Sequence, residues 1–87
     1  MPRFIAVHSV PFTEEALIKY AKEERPKFPE GIIWKLTYCD FDNNKHFCEW
    51  EAPNKEALEQ IFRDLNIPTD AIYTVQIFDV AKAELEK

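Results

Sequence analysis

Two rhythms of apolar residues run along this chain, one with the period of a strand and one with the period of a helix. Arg3 to Val10 is rich in Phe, Ile and Val and reads as a first strand. Thr13 then offers an N-cap, and Glu14 and Glu15 suit the first turn of a helix. Leu17, Tyr20 and Ala21 fall on one face of that helix, which the spacing carries to about Arg25, with Pro26 ending it. Ile32 to Phe41 and His46 to Ala52 read as the second and third strands. Asn54 caps a second helix, in which Leu58, Ile61, Phe62 and Leu65 repeat at i, i+3, i+4 and i+7. Asn66 suits a left-handed residue past the helix end, and Pro68 follows. Ala71 to Val80 is the fourth strand, and Ala81 to Lys87 is a charged tail that could wind into a short helix.

The order βαββαβ is the split-βαβ, ferredoxin-like plan. It predicts a single α+β domain over residues 1–87: a four-stranded antiparallel sheet, the first and third strands central, with both helices on one face. The single glycine and the six prolines leave the periodic segments uninterrupted, and no linker or internal repeat is present.

A tight turn at Asn43-Asn44 would set Asp42 opposite Lys45 and Cys39 opposite Cys48. Thr37 would then face Trp50, Tyr38 would face Glu49 and Leu36 would face Glu51. On this register the helix-covered face carries Ile5, Val7, Cys48, Trp50, Val75 and Ile77. The open face carries Phe4, Ala6, His8, Trp34, Leu36, Tyr38, Phe47, Glu49, Glu51, Gln76 and Phe78. An open face this aromatic marks an interaction surface. It predicts a homodimer, packed sheet on sheet, with a partly polar cavity between the sheets.

His8, Tyr38, Asp40, Phe47 and Glu49 should meet at one end of that face. A histidine beside carboxylates can act as an acid or base, hold a divalent metal, or satisfy a polar interface. The residues expected to touch a ligand are His8, Tyr38 and Glu49, with Trp34 and Glu51 lining the cavity; His8 and Glu49 are the candidate metal ligands. His46 and Cys48 share a strand face, and Cys39 beside them would complete a soft three-ligand site. That face is expected to be core, where two buried thiols are the simpler reading. Asp40, Asp42, Asn44 and Glu51 fall at calcium-loop positions, but Lys45 stands where that loop needs glycine.

Composition narrows the choice. Acidic residues number 16 and basic residues 11, a net charge of −5, which argues against a nucleic-acid partner. The third strand also lacks the glycine of an RNA-binding signature and carries two glutamates. Hydrophobic residues at 46% and aromatics at 14% exclude a disordered chain. No apolar run reaches the roughly 20 residues of a membrane helix. The N-terminus enters the first strand without an export signal, so a cytoplasmic protein with two reduced cysteines is expected.

The segment Ile33-Trp34-Lys35-Leu36-Thr37-Tyr38, the acidic hairpin, Phe47-Cys48-Glu49-Trp50-Glu51-Ala52-Pro53 and Ile67-Pro68-Thr69-Asp70-Ala71-Ile72 together resemble a family of small proteins of largely unknown function. Its described members include nickel-binding proteins. The resemblance covers roughly residues 32–76 and implies a ferredoxin-like dimer; a divalent metal such as nickel is the cofactor it implies. The leading expectation is a non-catalytic homodimeric binding protein for a small ligand or divalent metal. The rival is a small dimeric isomerase or cofactor-free oxygenase with His8 as acid or base.

Overall fold

The computed structural model describes residues 2–86. Strand β1 spans Arg3–His8, helix α1 Glu14–Lys19, β2 Ile33–Asp40, β3 Lys45–Glu51, helix α2 Lys55–Asp64 and β4 Ala71–Val75. A short hairpin of β5 (Phe78–Asp79) and β6 (Glu84–Leu85) follows. The four main strands form an antiparallel sheet in the order β2-β3-β1-β4, so the architecture is α+β and the two central strands are those expected.

The caps form as their residue types dictate. Thr13 Oγ1 accepts the Ala16 N–H at 3.1 Å, and Asn54 Oδ1 accepts the Ala57 N–H at 2.9 Å. Asn66 takes φ 55°, the left-handed position that ends α2. Helix α1 is shorter than its periodicity suggests. It widens into a π-wound segment over Tyr20–Glu24 and tightens into a 3₁₀ turn over Arg25–Lys27, with Pro26 near the start of that turn. None of the residues of α1 is buried, whereas α2 buries Leu58, Ile61 and Phe62.

The core lies between α2 and the sheet, where those three side chains meet Phe4, Ala6, Cys48 and Trp50. Here the face of β1 is the reverse of the one expected. Phe4, Ala6 and His8 are buried, and Ile5 and Val7 are half-exposed. The cause is register: Ala6 stands opposite Cys48 and Phe4 opposite Trp50, the residues of β3 that the helices cover. Val75 likewise pairs with Arg3 on the open face, not the covered one.

The hairpin is also re-registered. Asp40 pairs with Lys45 and Cys39 with His46, which leaves the four-residue loop 41–44. The Asp40 carboxylate accepts from the Asn43 N–H at 3.2 Å and from Asn43 Nδ2 at 2.8 Å, an Asx-type closure. Asn44 has φ 51°, but Asn43 has no positive φ, so the type I′ geometry of a two-residue turn is absent. A two-residue slip preserves the faces of both strands. A bulge at Lys35, between Trp34 and Leu36, then swaps the faces of everything before it. Trp34 therefore lies on the covered face and stacks on Trp50, ring centroids 5.9 Å apart at 15°.

The fourth strand ends at Val75 rather than Val80. The tail forms the turn and strand of the β5–β6 hairpin instead of a helix, and Lys87 lies outside the described residues.

Candidate functional site

The open face consists of three rows running across the four strands. One row is Ala71, Val7, Phe47 and Tyr38; the next is Tyr73, Ile5, Glu49 and Leu36; the third is Val75, Arg3, Glu51 and Ile33. Tyr38 is 64% exposed, Tyr73 57% and Leu36 41%, large apolar surfaces that no element among the described residues covers. Glu49 and Glu51 stand two apart on β3, so both carboxylates project from this face. Arg3 Nη1 lies 3.6 Å from Glu49 and its Nη2 3.9 Å from Glu51, and Lys35 Nζ lies 3.2 Å from Glu51. The face is thus apolar with a charge-paired centre. No sequence motif marks Arg3 or Lys35 as part of this face; only the strand pairing brings them to the carboxylates.

Three of the expected ligand-contacting residues, Tyr38, Glu49 and Glu51, share this face. His8 and Trp34 do not; both lie on the far side of the sheet, beneath the helices. His8 is 1% exposed. The open-face grouping of His8 with Glu49 is corrected accordingly, and with it the open-face geometry of an acid–base histidine.

The covered face holds a second polar group. His8, His46 and Cys39 form a row across β1, β3 and β2, with Ala6, Cys48 and Thr37 in the row beside it. His8 Nδ1 donates to the Pro68 carbonyl at 3.0 Å, and Thr69 Oγ1 lies 3.3 Å from the same nitrogen. Burial lowers the His8 pKa below the usual histidine value, against the opposing pull of the Pro68 carbonyl and Asp70. His46 is 0% exposed and neither ring nitrogen has a hydrogen-bond partner. Trp34 Nε1 donates to Thr37 Oγ1 at 2.8 Å, and that hydroxyl donates to Cys48 Sγ at 3.2 Å. Burial pushes the Cys48 thiol up to about 11, which keeps it protonated and unreactive. A cavity of about 30 Å³ lies between this face and the two helices, where His8, Cys48 and Trp50 of the sheet meet Phe12, Leu17 and Phe62.

At the hairpin end, Ser9 donates to Asp70, and Lys45 Nζ reaches Ser9 Oγ at 2.6 Å and Asp70 at 3.5 Å. The Ser9 hydroxyl and the Lys45 ammonium hold the Asp70 carboxyl below its usual range. This exposed network ties β1 and β3 to the loop before β4.

Among the described residues, no three His, Cys, Asp or Glu side chains come together as a metal cage. A nickel ion therefore does not fit the donors of one chain: the histidines are covered, and the open-face carboxylates are paired with cations.

The protein is thus a small α+β domain of βαββαβ order with one sheet face left bare. The chain belongs to the SCO4226-like family, described as nickel responsive proteins, whose model matches residues 4–75. That match takes in the β1–α1 half, which lies outside the segment of sequence resemblance. The fold is similar to the crystal structure of SCO4226 from Streptomyces coelicolor A3(2), with a TM-score of 0.67 over 84% of this chain and 94% of that one. The two sequences are 20% identical, so this likeness is one of fold. No curated protein matches the chain in sequence.

Proposed function

We propose that the protein is a non-catalytic binding protein that works as a ferredoxin-like homodimer, two copies meeting through their open sheet faces. The observation that carries this reading is the bare face itself, with Tyr38, Tyr73, Leu36, Ile33 and Phe47 all exposed on one side of one sheet. A two-fold pairing is self-complementary, so each copy covers the same patch on the other. The charged centre of the face would then line a cavity with Glu49, Glu51 and Tyr38 from both copies.

That cavity is proposed to take a small ligand or a divalent cation. Nickel is the cation that the family description suggests. Two chains bring four carboxylates to that cavity, where a divalent cation would displace Arg3 and Lys35 from Glu49 and Glu51. The free thiols of Cys39 and Cys48 suit work in the cytosol.

Sedimentation equilibrium of the untagged protein, with and without Ni²⁺, tests the reading. The expected species is a dimer that Tyr38→Lys converts to a folded monomer. Nickel should bind the dimer and be lost in the Glu49→Gln/Glu51→Gln variant. A wild-type monomer at micromolar concentration would refute the pairing. Nickel held equally by the Tyr38→Lys monomer would refute the shared cavity.

A further inference from the structure

On the other side of the sheet, His46 presents a problem that the open face does not explain. It is fully buried, and neither Nδ1 nor Nε2 has a partner. Buried polar groups are almost always satisfied, so such an orphan needs a reason. A neutral imidazole always carries one lone-pair nitrogen. His8 stands directly opposite, on the neighbouring strand and the same face. Because the Pro68 carbonyl can only accept, His8 Nδ1 carries the proton and Nε2 carries the lone pair. That outer bond to a carbonyl is the one by which proteins fix the tautomer and ring of a metal-binding histidine.

The surroundings decide which ion fits. Phe12 contacts both rings, with centroids 6.0 Å from His8 and 5.1 Å from His46. Phe62 lies 4.8 Å from His8 and Phe41 5.5 Å from His46. No third His, Cys, Asp or Glu joins the pair in a metal-holding group among the described residues. Zinc and nickel take four or more ligands, and two imidazoles alone do not supply them. A dry site with two imidazoles and a wall of aromatic faces suits a closed-shell monovalent ion, which accepts two nitrogen ligands in a line. Its single charge is further stabilised by the aromatic rings.

We propose that His8 and His46 form a two-coordinate site for a soft monovalent metal ion, Cu⁺ or Ag⁺, beneath the helices. The site is separate from the open-face cavity and stands or falls without it. Phe41, half-exposed on the hairpin loop, is the ring that an entering ion displaces.

The test is anaerobic titration of the protein with Cu⁺ against a chromogenic chelator. Thiols compete for the same ion, so the background is Cys39→Ser/Cys48→Ala. One Cu⁺ per chain should bind in that background. Adding His46→Leu should weaken it by more than the roughly 10–100-fold that loss of an outer-shell partner costs. Loss of binding in the cysteine-free protein, or unchanged binding after His46→Leu, overturns the site. Should His46→Leu fail to fold, the imidazole ¹⁵N resonances decide. Both histidines must shift together on adding one equivalent of Cu⁺ to the cysteine-free protein; a shift in neither, or in one alone, also overturns the site.

Discussion

His8 and His46 face each other across β1 and β3, and only one of them has a hydrogen-bond partner. The bond from His8 to the Pro68 carbonyl links the end of β1 to the loop that leads into β4, beside the Asp70 N–H that donates to the Val7 carbonyl at 2.8 Å. His8 is therefore part of the joint between two strands as well as of the core.

Acid should loosen that joint. The reference value for His8 is 6.5, and burial holds the folded value below it. Between those two values the unfolded chain binds more protons than the folded one. The stability that depends on a neutral His8 is thus complete above pH 6.5 and is lost as pH falls from there toward the folded value. Urea midpoints at pH 7.5, 6.5 and 5.5 should fall in that order, and His8→Leu should flatten the slope. A midpoint constant down to pH 5.5 in the wild type would contradict this.

The two helices should respond unequally to substitution. Leu58 on α2 is among the largest fully buried side chains, and Leu58→Ala should destabilise by about 2–5 kcal/mol. Asn54→Ala removes the α2 cap at a cost of about 1 kcal/mol. Thr13→Ala removes the same kind of bond from α1, which buries no residue and is coupled less tightly to the core. Its effect on the global denaturation midpoint should be the smaller of the two. Native-state hydrogen exchange should show α1 opening below the global free energy.

Side-chain period and capping residues placed most of the elements, because both depend on residues close in sequence, and strand order followed from the βαββαβ plan. Facing across the sheet was harder. Arg3 shares its parity with Ile5 and Val7, and an arginine with carboxylate partners belongs on the face that water reaches. The apolar character of Ile5 and Val7 masks that signal and points His8 to the opposite face from the one it occupies. The hairpin slip came from Asp40, whose side chain closes the loop in place of the Asn43-Asn44 backbone. The burial of His46 was legible, since it shares a strand face with Cys48, but its lack of a hydrogen-bond partner was not. It depends on Phe12 and Phe41, brought over its ring by the β1–α1 loop and the hairpin loop.

The bulge at Lys35 supplies the sharpest check on the register. Trp34 pairs with Trp50 and Leu36 with Glu49, so Lys35 is the extra residue on β2. Removing it would leave Trp34 opposite Trp50 and Leu36 opposite Glu49 in a regular ladder, with every side chain on its present face. The deletion loses only the Lys35–Glu51 pair at 3.2 Å, a partly exposed contact worth about 0–1 kcal/mol. The variant lacking Lys35 should therefore fold with nearly wild-type stability. It should also keep the near-ultraviolet circular dichroism of the stacked Trp34–Trp50 pair. Trp34→Phe serves as the control that removes that signal. If deletion instead abolishes the signal, or costs several kcal/mol, then Trp34 is held on the covered face by something other than the pairing described. The obvious candidate is the bond from its Nε1 to Thr37, which spans the bulge. Thr37→Val in the intact chain separates the two cases. It leaves the Trp34 N–H without its acceptor, at a cost of about 1–3 kcal/mol, while leaving the ladder untouched.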